Sequence, residues 1–232
     1  MWERALLTPE PAIQNRLLAS LAKSGRDRLR PHLEPVSLPV RQVLEAPDEP
    51  ITHAFFPLSG INSVVTGSGE RRIEVGIIGR DGMTGVSVVL GASSTPHECF
   101  VQVAGDALMI AVPELTLALE ADPILRKHCL LYARRFMLQT AQTALANGRC
   151  TIDERLARWL LMSQDRLDGD DIHLTHEFLS LMLGVRRPGV TIALQTLEAA
   201  KLIRNTRGCI TILDRPRLEE IAGHAYTGAA TG

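Results

Sequence analysis

Between Phe178 and Leu197 two short apolar stripes at helical spacing are separated only by a turn that holds a glycine and, four residues on, a proline. That punctuation leaves few folds open. Thr175 can cap the first helix, with Glu177 in the favourable first turn and Phe178, Leu179, Met182 and Leu183 forming its apolar face. Gly184 then ends it, as a glycine just past a helix C-terminus does. Arg187, preceding a proline, is biased away from helical backbone, whereas Pro188 suits a first helical position, so the second helix should begin at Pro188. Val190, Ala193, Leu194 and Leu197 supply its buried stripe. Two short helices joined by a glycine turn, the second opening on Arg186, Arg187 and Thr191, read as a helix-turn-helix.

Immediately downstream, Leu202–Arg204 and Cys209–Leu213 flank the polar Asn205–Gly208, the pattern of a hairpin with a basic tip, or wing. Upstream, Asp168–Asp171 is a turn and Ile172–Leu174 is strand-like. The whole chain has 25 Lys plus Arg against 26 Asp plus Glu, a net charge of −1, so no global field draws it to a polyanion. Residues 186–217 are different: seven basic residues stand against Glu198 and Asp214, a local net of +5. Clustered arginines usually do no more than face water. Here glycine turn, proline start, apolar stripe and basic hairpin coincide, and arginine at a helix N-terminus can bond guanine in the major groove while the helix end favours phosphate. The segment therefore implies a DNA ligand, with Thr175, Arg186, Arg187, Pro188, Gly189, Thr191, Arg204 and Arg207 as candidate contacts.

The preceding 150 residues carry two further patterns, and 232 residues suffice for two modest domains. From Pro11 to Leu33, Leu17, Leu18, Leu21 and Leu29 predict a helical lead-in that packs, broken around Gly25 and closed by Pro31. Between Val36 and Val112, β-branched runs recur at Ile51–Phe56, Ile61–Thr66, Arg72–Ile78, Val86–Leu90 and Phe100–Val103, separated by glycine-containing turns that include Gly105-Asp106. Many short strands with regular turns mean a sandwich or barrel. After Pro113 the period becomes helical. Leu130, Ala133, Met137, Ala141 and Ala144 make one stripe within Ile124–Leu145, which packs either on its own β-domain or on the same helix of a second subunit. Asn147-Gly148-Arg149 should interrupt that helix, with Thr151 or Asp153 capping the next.

Cys99, Cys129, Cys150 and Cys209 are scattered without a Cys-x-x-Cys pair, so neither zinc site nor disulfide framework is indicated and the thiols read as reduced and mostly buried. Met1–Leu7 lacks the apolar stretch of a signal peptide and no apolar run reaches membrane-spanning length, which predicts a cytoplasmic protein without membrane contact. No nucleophile–base–acid arrangement, phosphate loop or paired carboxylates can be picked out. No catalytic residue and no metal ligand is assigned, and no enzymatic activity is expected.

Asp153–Leu161 (DERLARWLL), opening a helix, and Thr175–Leu197, matching without a gap, resemble the Crp/Fnr family of bacterial transcription regulators. Pro35–Val112, with Phe55-Phe56-Pro57-Leu58-Ser59-Gly60-Ile61, resembles that family's cyclic-nucleotide-binding-like jelly roll. The resemblance implies an α+β fold: a lead-in over 1–34, a β-roll sensor over 35–113, a dimerisation helix within 114–148 and a winged helix-turn-helix over 149–232. It assigns Leu130, Ala133, Met137, Ala141 and Ala144 to a homodimer interface, a double-stranded operator to the dimer, and RNA polymerase as a further partner.

The departures bear on the effector. Cyclic-AMP binders of the family hold the ribose with a glutamate after a glycine and the phosphate with an Arg-Ser pair; Gly85-Val86 and His97-Glu98 fall there, with Thr140 on the long helix completing the candidate pocket. An acid at Glu98 is electrostatically wrong for phosphate. No cysteine precedes Arg41, so the family's iron–sulfur cluster is not supported either, and the effector stays unnamed. In the second helix Arg187 lies at a base-reading position, but Pro188 and Ile192 replace polar readers, so the target sequence should differ. Rival readings are a metal-dependent cupin-like enzyme using His53, His97 and Glu98, a haem gas sensor with His97 as axial ligand, and a redox sensor at Cys150. Trp159 and Phe136 sit at helical spacing among leucines and read as core.

Overall fold

The structure is a computed structural model that describes residues 14–174 and 176–226. They fall into two compact units, one from the described part of Met1–Val64 with Ile77–Met137, the other from Val65–Gly76 with the described part of Leu138–Gly232.

In the first unit the lead-in forms helices α1 (Arg16–Ser20) and α2 (Lys23–Leu29), and its four leucines are buried. The break falls at Leu21-Ala22 rather than at Gly25, which lies inside α2 where its Cα passes close to Leu125. Pro31 closes the segment in a 3-10 turn, as expected, and the stretch from Pro11 to Ile13 is outside the described residues. Asn15 is fully buried and fully used. Its Oδ1 accepts from the Leu18 N–H at 3.0 Å, capping α1, and its Nδ2 donates to Pro57 O at 2.8 Å and Gly82 O at 2.9 Å.

The strands are β1 (Glu34–Leu38), β2 (Val43–Glu45), β3 (His53–Pro57), β4 (Ile61–Thr66) and β5 (Ile73–Ile78); after a one-turn helix α3 (Val86–Val89) come β6 (Glu98–Val103) and β7 (Gly105–Ala111). They form sheets ordered β1-β7-β3 and β2-β6-β4-β5, the jelly roll of the expectation. Strand β3 is apolar on both faces because both are covered. Phe55, opposite Met109, joins Val36, Leu38, Val101 and Ala107 inside the roll, whereas Ala54 and Phe56 join Leu108, Ile110 and the lead-in leucines outside it.

Two expectations fail here. Val86–Leu90 is not a strand: Gly85, in the left-handed region at φ 77°, turns the chain, and the Val88 and Val89 amides bond Gly85 O at 3.0 and 3.2 Å, so the peptide groups pair locally. Gly105-Asp106 is not a turn either, since both residues open β7 in register with Leu38 and Ser37.

Helix α4 (Val112–Ala121) leads through Asp122, whose Oδ1 accepts from the Ile124 and Leu125 amides at 3.0 Å each, into the 27-residue α5 (Pro123–Arg149). Asn147-Gly148 does not interrupt α5, which runs on to Arg149. Nor does Ala133 face outward. It is 1% exposed and belongs, with Leu125, Cys129 and Tyr132, to the core of the first unit. Tyr132 donates to Met83 O at 3.0 Å and its ring lies against Gly82, where a Cβ has no room. What α5 leaves open is a different set: Leu131, Leu138 and Leu145, seven residues apart, flanked by Ile124, Leu130, Met137, Ala141 and Ala144.

All four cysteines are free. Burial pushes the Cys129 thiol up to about 12, and burial with the nearby carboxylates of Glu45 and Glu98 pushes Cys99 well up, which holds both thiols neutral and poorly nucleophilic.

The second unit continues with α6 (Ile152–Gln164), β8 (Asp171–His173), α7 (His176–Leu183), α8 (Arg187–Ala199), β9 (Ile203–Thr206), β10 (Cys209–Ile212) and α9 (Arg215–Ala222). Of the two possible caps for α6, Thr151 is the one used, in a capping box with Glu154: Thr151 Oγ1 accepts from the Glu154 amide at 3.3 Å and Glu154 Oε2 accepts from the Thr151 amide at 2.6 Å. Trp159 is core, as its spacing predicts, and its indole N–H donates to the buried Glu74 Oε1 at 2.9 Å. Beside it Arg158 is buried, donating to Ala225 O at 2.8 Å and Thr143 Oγ1 at 3.1 Å; burial pushes its guanidinium down to about 10. Removing the indole donor with Trp159→Phe, which keeps most of the apolar volume, should cost about 1–3 kcal/mol, the penalty for taking one hydrogen bond from a buried carboxylate. A urea midpoint equal to that of the wild type would show that Glu74 does not depend on this bond.

Candidate nucleic-acid interface

The turn between α7 and α8 is set by Gly184. At φ 58° it adopts the conformation that lets the Gly184 N–H bond Leu181 O at 3.3 Å and the Val185 N–H bond Ser180 O at 3.1 Å, the two closing bonds of a glycine C-cap. Arg155 of α6 donates to Leu183 O and fixes the same helix end. Helix α8 opens one residue earlier than Pro188, at Arg187, with Arg186 extended before it at φ −70° and ψ 152°. Few amides are left there for an anion: Pro188 has none, and those of Gly189 and Val190 both point to Arg186 O. A phosphate brought to this end would therefore meet guanidinium groups rather than free amides.

Val190, Ala193, Leu194 and Leu197 are buried, which leaves Arg187, Pro188, Ile192, Gln195 and Thr196 on the open face with Thr191 half-buried beside them. The Thr191 hydroxyl donates to Arg187 O at 3.1 Å and that of Thr196 to Ile192 O at 3.0 Å, so both threonines turn their hydroxyl protons back onto the helix. Gly189 lies against Ile152 and Val185, and its place is in helix packing. Arg187 approaches Glu177 at 4.0 Å, but both side chains are well exposed and the pair holds little. Gln195, one turn beyond Thr191, joins this face by the four-residue step along it, and its amide can bond adenine bidentately. Thr175 lies outside the described residues.

Strands β9 and β10 make the wing, with Arg207-Gly208 as its two-residue turn and Gly208 at φ 78°; β8 pairs on the other side of β10. Arg204 and Arg207 are exposed, with Arg204 touching Thr211 Oγ1 at 3.5 Å. One member of the local +5 is committed elsewhere. Arg215 bonds Asp165 at 2.9 Å, Glu219 at 2.9 Å, Gln164 at 2.7 Å and Tyr226 at 2.7 Å, tying α9 to the end of α6. The open cations are thus Arg186, Arg187, Lys201, Arg204, Arg207 and Arg217.

Of the candidate effector residues, Gly85 is the N-cap of α3 and its amide donates to Glu45 Oε1 at 2.6 Å. Burial raises the Glu45 carboxyl pKa, while bonds from Gly85 and Thr84 pull the other way. Val86 packs on the outer core, and the His97 amide donates to Thr95 Oγ1 at 3.2 Å. Glu98 begins β6 beside Cys99, which is in register with Glu45. Thr140 is half-buried on α5, in the second unit. Glu45 stands forty residues from Gly85 in the sequence, and no local pattern links the two. Among the described residues no three His, Cys, Asp or Glu side chains gather as a metal site, His53, His97 and Glu98 included, and no helix is long and apolar enough to cross a membrane.

A glycine-capped helix, an arginine-led second helix on an apolar base and a basic hairpin define a winged helix-turn-helix, a DNA-binding domain. Residues 154–221 match the family described as the Crp-like helix-turn-helix domain, and over most of its length the chain has the fold of solved Crp/Fnr transcription regulators. FixK2 from Bradyrhizobium japonicum superposes with a TM-score of 0.72 at 17% identity, over 85% of this chain and 99% of that one. A transcriptional regulator of the CRP/FNR family from Thermus thermophilus gives 0.63 at 20% identity, over 82% and 98%. The c-di-GMP responsive global regulator CLP of Xanthomonas campestris gives 0.66 at 16%, over 82% and 99%. No curated protein matches the chain in sequence.

Proposed function

We propose that the chain is a cytoplasmic, homodimeric transcription regulator that pairs through α5 and reads a two-fold-related operator with α8, Arg187 reading a base while Arg186, Arg204 and Arg207 hold phosphates. The open face of α8, with Arg187 exposed between an apolar base and a basic wing, carries this reading. Dimerisation is supported by the heptad spacing of Leu131, Leu138 and Leu145 on a helix side that the protomer leaves uncovered. Cyclic AMP is not the effector in this reading, because the carboxylate of Glu45 already occupies the Gly85 amide and Glu98 adds a second acid beside Cys99. RNA polymerase is the partner through which such a regulator acts.

Selection of bound duplexes from a random pool by the full chain should enrich two related half-sites with centres about 10–10.5 base pairs apart, because each α8 of a two-fold dimer enters a major groove on one face of the DNA. Enrichment of a single unpaired site, or of none, would overturn the proposal.

A further inference from the structure

We infer that Ile192 is a specificity residue that reads the 5-methyl group of thymine within each operator half-site. The inference rests on the operator reading above. Ile192 is 64% exposed, the most exposed of the large apolar side chains among the described residues, and it sits in the middle of the open face of α8. A single exposed isoleucine is ordinarily unremarkable on a surface. This one is set among groups that face the proposed ligand. Pro188 lies one turn before it and Thr196 one turn after, and the hydroxyls of Thr191 and Thr196 are bonded to backbone carbonyls. The ridge from Pro188 through Ile192 to Thr196 is therefore largely apolar, with Arg187 and Gln195 as the polar readers beside it.

An isoleucine has no donor or acceptor, so against most base edges in the major groove it would strip water from polar atoms and return nothing. The thymine methyl is the one apolar group the major-groove edges of the four bases present. Five residues at a rise of 1.5 Å place Ile192 about 7.5 Å along the axis from Arg187, or about two base-pair steps of 3.4 Å. The inference is then specific: a thymine should lie about two steps from the guanine that Arg187 reads, and its methyl should matter.

The test uses the full chain and its selected operator, replacing each thymine in turn by deoxyuridine, which removes only the methyl. Wild type should lose about fourfold in affinity per half-site at one position, the worth of one buried methyl. Ile192→Ala should bind the thymine operator correspondingly more weakly and should no longer distinguish thymine from uracil there. Its melting temperature should match wild type, since the side chain is exposed. An enriched operator at which no methyl matters, or a methyl penalty that survives in Ile192→Ala, overturns this inference alone. So does an Ile192→Ala variant that changes self-association while keeping its thymine preference, which would assign the residue to a protein contact. A pool from which nothing is enriched overturns the operator reading and this inference with it.

Discussion

Leu138→Glu should convert the protein from dimer to monomer and lower operator affinity by more than about a hundredfold. The side chain is 45% exposed in the protomer, so the fold tolerates a carboxylate, but in the proposed two-fold pair Leu138 would meet its own copy. Two carboxylates buried face to face would each carry a desolvation penalty of several kcal/mol with no partner to offset it, far more than a short coiled-coil seam supplies. A monomer engages one half-site only and forfeits the second binding event. Leu117→Glu, at a leucine that is 60% exposed but lies on α4 and off the heptad row, is the control and should remain dimeric. Light scattering and operator titration read both. A Leu138→Glu dimer with undiminished DNA binding would place the interface elsewhere.

Arg187→Ala should relax sequence preference by about 1–3 kcal/mol at one base pair in each half-site, the value of a bidentate guanine contact. Arg186→Ala and Arg207→Ala should instead weaken operator and scrambled DNA alike, each lowering the salt slope by about one per half-site, because a phosphate contact carries no sequence information. The distinction follows from position: Arg187 is the first residue of α8, on its open face, whereas Arg186 precedes the helix and Arg207 sits at the tip of the wing. Titration of each variant against both DNAs at several salt concentrations separates the roles. Equal losses on both DNAs for Arg187→Ala would remove it as a base reader.

The helix-turn-helix could be read almost residue by residue because its signals are local. A glycine cap, a proline at a helix start and a two-residue turn each act within five residues of themselves. The jelly roll was legible as a class and less so in its strands. β7, between β1 and β3, has the sequence Gly-Asp-Ala-Leu-Met-Ile-Ala, with neither alternation nor β-branched residues beyond Ile110, and only its two neighbours make it a strand. The valines of α3 have the opposite character: strand formers locally, held in a helical turn by Gly85. Along α5 the helical period was clear but its phase was not. Ala133 and Met137 share a four-residue row, yet Ala133 turns to the core and Met137 is 59% exposed, a difference set by where Tyr132 and Cys129 pack. The bond between Glu45 and Gly85 joins residues forty positions apart, beyond the reach of any local pattern in the chain.

The bond from Trp159 to Glu74 joins residues 85 positions apart, and the strip Val65–Gly76 belongs to the C-terminal unit although it is made long before the rest of that unit. During synthesis this bond cannot form until α6 has left the ribosome and delivered the indole. Closing so long a loop is slow compared with forming a helical turn or a hairpin. The C-terminal unit is not one continuous piece of chain, and a fragment starting at Leu138 would lack the carboxylate that its own tryptophan bonds.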